Sequence, residues 1–266
     1  MTLLTFDHVE FAYPERPATF TALSLQIRPG DRVGLIGPNG AGKTTLFLLA
    51  CGVLTPRQGG IYLGDRPVRP GHFHSDIGLV FQNADDQLFC PTVADDVAFG
   101  PTEMGLSPGE IQNRVQSALT ATGIEALADL PPHQLSGGQK RMVAIAGILA
   151  CHPRITLYDE PSANLDAPAR RRLINYLRQS TQPTIRDLHL REKGREKVRE
   201  QGREQGAGAT GFIVSSHDLP FIRATCNRVI LLSGGRILAD GPTHEILSDR
   251  PLLDTHGMDS PFNQAS

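Results

Sequence analysis

The sequence predicts an α/β fold with an inserted helical part, and three observations carry that expectation. A strand, RVGLIG, runs into a Gly-rich loop and then into TTLFLLACGVL, which has helical length and composition. Short apolar strands return late in the chain at ITLYDEP (155–161), FIVSSHD (212–218) and VILLSGGRILADG (229–241). Between about 86 and 150 the texture changes to short helices with turns at SPGE and LPPH. Strands that alternate with helices in this way specify α/β architecture.

In chain order, residues 3–13 and 20–28 alternate apolar and polar side chains around the turn PERP, which predicts an antiparallel pair. IYLG (61–64) and IGLVFQ (77–82) follow as further strands. One segment stands apart: REKGREKVREQGREQG (191–206) is an Arg/Glu tetrapeptide repeated four times. Helical i,i+3 pairs there would contribute tenths of a kcal/mol, whereas each of its glycines costs about 1 kcal/mol relative to Ala. A frayed helix or disorder is expected.

Composition excludes several classes. The chain has 266 residues and 39% hydrophobic content, enough for a substantial core. A net charge of −2 argues against a general nucleic-acid binder, so no nucleic-acid partner is expected. Cys51, Cys90, Cys151 and Cys226 form no C-x-x-C pair and are expected to be reduced thiols. The longest apolar run, LFLLACGVL, is too short to span a bilayer, so the chain is expected to be soluble while still able to dock on a membrane protein. His72 and His74 in GHFHSD have no third ligand nearby and are expected to be solvated.

The chemistry-bearing motifs begin with GPNGAGKT, formed by Gly37, Pro38, Asn39, Gly40, Ala41, Gly42, Lys43 and Thr44, which fits G-x-x-x-x-G-K-[ST]. The pattern would arise by chance in about one chain in a hundred of this length, so its position between a strand and a helix is what strengthens it. Glycines free the backbone N–H groups to wrap phosphate oxygens, and the helix from Thr45 turns its positive end toward them. Lys43 can reach the β and γ phosphates, and Thr44 offers a hydroxyl to Mg²⁺. At the end of ITLYDEP, Asp159 can hold the magnesium and Glu160 can act on an attacking water.

A second anion device follows from LSGGQ, formed by Leu135, Ser136, Gly137, Gly138 and Gln139, which opens an apolar helix with residues that are poor helix formers. With these motifs the sequence resembles the ABC transporter ATPases along nearly its whole length. The resemblance implies an ABC-type nucleotide-binding domain with a P-loop core sheet, an antiparallel β subdomain and an inserted α-helical subdomain. It also implies that LSGGQ of one subunit closes over the ATP held by the phosphate loop of another. Tyr13 would stack on adenine, Gln82 would sense metal and water, and Asp166 in SANLD would couple the two sites. His217 in SSHD would contact the γ-phosphate.

Residues 81–101 and 131–150 are similar to the ATPases of energy-coupling factor transporters, especially the cobalt and nickel branch. That resemblance implies a transmembrane T-type component, a substrate-binding membrane component, and a homodimer or a heterodimer with a second ABC ATPase. It places the chain at the cytoplasmic face of the cell membrane and makes Asp85, Asp86, Gln87, Leu88 and Phe89 candidates for the membrane-partner contact. The ATPase domain is expected over 1–241, with a helical subdomain at about 86–150, a charged insertion at about 183–208 and a short C-terminal tail at 242–266. The rival expectations are an ATPase of another ABC importer family and a soluble ABC protein.

Overall fold

The structure is a computed structural model, described here for residues 2–179 and 210–258; the repeat at 191–206 and the rest of the expected insertion, apart from its neighbours, lie outside the described residues. Strands β1 (Leu4–Phe11) and β2 (Phe20–Ile27) pair antiparallel as expected, and β4 (Gln58–Leu63) and β5 (Arg66–Pro67) extend them into a sheet of order β2-β1-β4-β5. A second sheet contains β3 (Arg32–Ile36), β6 (Ile77–Val80), β7 (Ile155–Asp159), β8 (Gly211–Ser215), β9 (Arg228–Ser233) and β10 (Arg236–Pro242). Its order is β10-β9-β3-β8-β7-β6, with only β10 antiparallel to its neighbour.

The parallel strands are buried on both faces, and the period of two sends alternate residues to two cores. Val33, Leu35, Leu157, Ile213 and Ile230 face the antiparallel sheet and helix α1 (Lys43–Ala50), which is wedged between the sheets. Tyr158, Phe212, Val214 and Leu231 face the other way, against the helices. Register then sets the site: Leu35 and Asp159 both lie opposite Ser215, and Val80 lies opposite Tyr158. Four parallel strands therefore end along one edge, where open α/β sheets carry their ligands.

The helical part comprises α2 (Val93–Glu103), α3 (Pro108–Thr122) and α4 (Gly137–Ala150), so two of its helices are longer than the short helices expected. SPGE is no turn but the start of α3: Ser107 caps Glu110 N, and Pro108 occupies the first helical turn. Conversely, α1 ends at Ala50 because Gly52 adopts φ 71°, which cuts short the helix expected through residue 54. Helix α5 (Ala167–Gln179) and α6 (Leu219–Thr225) cover the second core. After β10, α7 (Thr243–Ile246) and α8 (Arg250–Thr255) fold back onto the domain and bury Leu247, Leu253 and Met258. Among the described residues no helix is long and apolar enough to cross a membrane.

Candidate functional site

The loop between β3 and α1 is shaped by glycines at positive φ, a conformation other residues rarely adopt. Gly37 has φ 149°, and a Cβ there would lie 2.0 Å from the Leu232 carbonyl oxygen of β9. Gly42 has φ 101° and would place a Cβ 2.8 Å from the Phe20 ring. Gly42 is also the N-cap of α1 and makes no side-chain cap hydrogen bond, so no side chain caps the first turn, which faces the loop. The Lys43 ammonium folds back over that loop, donating to Gly37 O at 2.7 Å and Pro38 O at 3.1 Å. Burial pulls its pKa down, opposed by the nearby Glu160 and Asp159 carboxylates.

Thr44 Oγ1 donates to Asp159 Oδ2 at 2.7 Å, while Ser215 Oγ donates to Asp159 Oδ1. β7 ends at Asp159, and Glu160 then takes φ 46°. That left-handed turn breaks the alternation of a strand, so two adjacent acids can serve one site. Glu160 Oε1 is buried and has no hydrogen-bond partner, the imidazole Nε2 of His217 lying 3.5 Å away. Burial raises the Glu160 pKa, against the opposing pull of the His217 N–H and Lys43. His217 Nε2 also lies 3.3 Å from Lys43 Nζ, and burial together with that charge lowers the imidazole pKa. Lys43, Thr44, Asp159, Glu160 and His217 thus form one connected cluster.

Other sequence candidates sit around it. Tyr13 is half-buried, its hydroxyl 3.2 Å from Thr45 Oγ1 and its ring edge-on to Phe11. Gln82 is exposed just beyond β6. Ser136 caps α4 in a reciprocal box with Gln139, and Leu135 is buried beneath it. A Cβ at Gly138 would make only ordinary contacts with Ala169 and Leu165, and one at Gly137 would meet nothing. Asp166 Oδ1 accepts from Ala169 N at 2.7 Å and so caps α5. No hydrogen bond among the described residues joins 135–139 to the Gly37–Thr45 loop.

In the 85–89 segment, Asp85 pairs with Lys140 at 2.6 Å and Asp86 accepts from Asn83. Gln87 is committed internally: its amide donates to Leu79 O and its oxygen accepts from Phe81 N. Leu88 packs on the helical core, whereas Phe89 is 67% exposed and meets Phe99 edge-on at 4.9 Å. His74 is occupied with the Arg69 backbone, and no metal-holding cluster of His, Cys, Asp and Glu occurs among the described residues.

The structure adds residues that motif reading passed over. Arg141 is buried at the head of the apolar stretch of α4 and donates to the carbonyls of Phe81, at 2.5 Å, and Gln82. A lone arginine among MVAIAGILA was the available signal. Ser215 and Ser216, both fully buried, hold Asp159 and Asp218 N and had no such signal.

Taken together, a glycine loop at a bare helix N-terminus, a lysine, and a Thr/Asp pair suit a nucleoside triphosphate and the oxygen-ligand preference of a hard divalent cation. Known proteins resemble this chain in sequence and fold. The ABC transporter family profile matches residues 20–163. A putative ABC transporter ATP-binding protein of Synechocystis is 44% identical over 96% of this chain and 80% of its own length. The energy-coupling factor transporter ATP-binding protein EcfA of Methanocaldococcus jannaschii is 38% identical over 94% of this chain and 82% of its own. Among solved structures, cbiO1 from Clostridium perfringens, part of the ABC transporter complex cbiONQ, matches with TM-score 0.75 at 30% identity, covering 98% of this chain and 96% of that one. The chain therefore belongs to the ABC transporter ATP-binding proteins, ATPase subunits in which ATP hydrolysis is coupled to transport.

Proposed function

We propose that this ATPase subunit powers an energy-coupling factor type importer that takes up a transition metal ion, cobalt or nickel, or a vitamin. The observation that carries the catalytic reading is the buried, unpartnered Glu160 oxygen beside Lys43 and His217 at the end of β7. The loop from Gly37 to Thr45 wraps the phosphates with its backbone N–H groups, and Lys43 exchanges its bonds to Gly37 O and Pro38 O for phosphate oxygens. Tyr13 stacks on the adenine. Thr44, whose hydroxyl already meets Asp159, would hold Mg²⁺ together with Asp159 and Gln82, and the ion would supply neutralisation of the developing phosphate charge. Glu160, its pKa raised by burial, orients the attacking water and accepts its proton, while His217 stabilises the γ-phosphate.

Ser136 and Gly138, flanked by Leu135, Gly137 and Gln139, complete the site from the other subunit of a head-to-tail dimer, together with Asp166. The absence of any hydrogen bond from 135–139 to the loop of the same chain, among the described residues, agrees with a role in trans. That dimer is a homodimer or a heterodimer with a related ATPase. It docks at the cytoplasmic face of the membrane on a T-type component, alongside a substrate-binding membrane component. Asp85, Asp86, Leu88 and Phe89 form the contact, with exposed Phe89 at its centre and Gln87 bracing the loop from within. Similarity to EcfA and cbiO1 supports this importer class. Copurification of a T-type membrane protein separates it from other ABC importers.

The mechanism is tested by light scattering on Glu160→Gln with and without Mg-ATP. Hydrolysis stops while binding persists, so ATP-bound dimers accumulate. A protein that binds ATP and stays monomeric at every concentration tried would remove the trans role of 135–139.

A further inference from the structure

Two loops flank the Glu160–His217 side of the cluster and come from different elements: 162–166 before α5, and 216–218 after β8. One hydroxyl–hydroxyl contact ties them together directly. Ser162 Oγ lies 3.5 Å from Ser216 Oγ, and Ser216 Oγ accepts from Asp218 N at 3.1 Å. One helical turn beyond Asp166, Arg170 reaches back across: its Nε and Nη2 donate to both oxygens of Asp218 at 3.2, 3.1 and 2.8 Å. The guanidinium is further held over the Phe221 ring, 5.7 Å from its centroid.

Each end of this fork is fixed to a functional loop. Asp166 caps the first turn of α5 through Ala169 N, and its carbonyl accepts from Arg170 N at 2.9 Å. Asp218 caps α6 through Phe221 N at 2.9 Å and directly follows His217 in sequence. The 162–166 loop and the turn that carries His217 are therefore joined through Arg170. A bidentate, ring-backed Arg–carboxylate pair makes such a joint far firmer than a single-contact surface ion pair does.

α5 does not need Arg170 to stay in place. Leu173 and Leu177 are fully buried, and Arg178 Nε donates to Ala224 O at 2.7 Å at the other end of the helix. The fork is thus surplus to anchoring the helix, and its geometry is directed at the loop beside the catalytic cluster.

We propose that Arg170 is a positioning residue for His217, relaying the placement of the 162–166 loop at the dimer interface to the catalytic turn of the same subunit. The inference rests on the role given above to His217. It is tested with Arg170→Met, Arg170→Lys, Asp218→Asn and the Arg170→Met/Asp218→Asn double variant, each assayed for ATP turnover beside wild type. Asn keeps the cap on Phe221 N while removing the charged fork.

Expected results are a kcat reduced about tenfold in Arg170→Met, with KM for ATP within about twofold of wild type, since misplacing a catalytic group costs turnover rather than binding. Asp218→Asn behaves alike, the double variant is no worse than the poorer single variant, and Arg170→Lys recovers part of kcat. The proposal is overturned if Arg170→Met keeps its kcat, if the two losses multiply in the double variant, or if kcat and ATP binding fall together with thermal stability. Full activity in His217→Ala, by contrast, would overturn the role given to that histidine and leave the fork with nothing to position.

Discussion

Glu160 sits at φ 46°, where a side chain other than Gly costs on the order of 1 kcal/mol. The same turn buries one carboxylate oxygen without a hydrogen bond. Both features disfavour the folded state, and both aim a basic carboxylate into the cluster, as the role proposed for Glu160 requires. Burial raises the Glu160 pKa, so the folded protein holds that proton more tightly than the unfolded chain does. Its contribution to stability is therefore present at low pH and lost as pH rises through the raised value. At neutral pH the charged side chain is a liability. Glu160→Gln without nucleotide should melt about 2 °C higher than wild type at pH 7.5, with the gap closing toward pH 4.5, as read by circular dichroism. His217 acts in the opposite sense: its lowered pKa contributes stability above the usual histidine range that is lost as pH falls through the folded value.

At the level of elements, α5 is joined to the catalytic strand by a buried pair of hydroxyls. Tyr158 is buried on β7, next to Asp159, and its hydroxyl interacts with the side chains of Tyr176 on α5 and Thr156. Burial raises both phenols, Tyr176 to about 12, so the pair remains neutral and serves as a donor–acceptor link. Tyr176→Phe should cost about 1–3 kcal/mol in urea unfolding, because the Tyr158 hydroxyl loses that partner in the interior. The double change to Phe at 158 and 176 should cost less than the sum of the single changes. Links of this kind explain what was legible in the sequence. GPNGAGKT, the ends of β7 and β8, and the helix start at LSGGQ are local signals in contiguous residues, and they were readable. Arg141 meets Phe81 across 60 residues and Arg170 meets Asp218 across 48, so only the folded sheet brings them together. SPGE misled because a Ser-Pro start to a helix and a turn share the same residues.

At the scale of the whole molecule, the parallel strands gather Lys43, Asp159, Glu160 and His217 at one edge, whereas Ser136 and Gly138 begin a helix bonded to a different loop. If the two half-sites meet only between subunits, two defective chains should complement each other. Lys43→Ala removes the lysine proposed to bind phosphate and leaves 135–139 intact. Gly138→Asp puts a negative charge where the partner's γ-phosphate would approach, and its Cβ meets Ala169 and Leu165 only at ordinary contact distance, so the fold should accept the new backbone substituent. Either homodimer has two broken composite sites. A mixed dimer has one site with both defects and one with none. Random pairing of equal amounts leaves roughly a quarter of all composite sites intact. ATP turnover of the mixture should therefore rise well above that of either parent, and it should grow with total concentration as dimers form. If 135–139 instead acted on the ATP of its own chain, every subunit in the mixture would stay defective, and mixing would restore nothing.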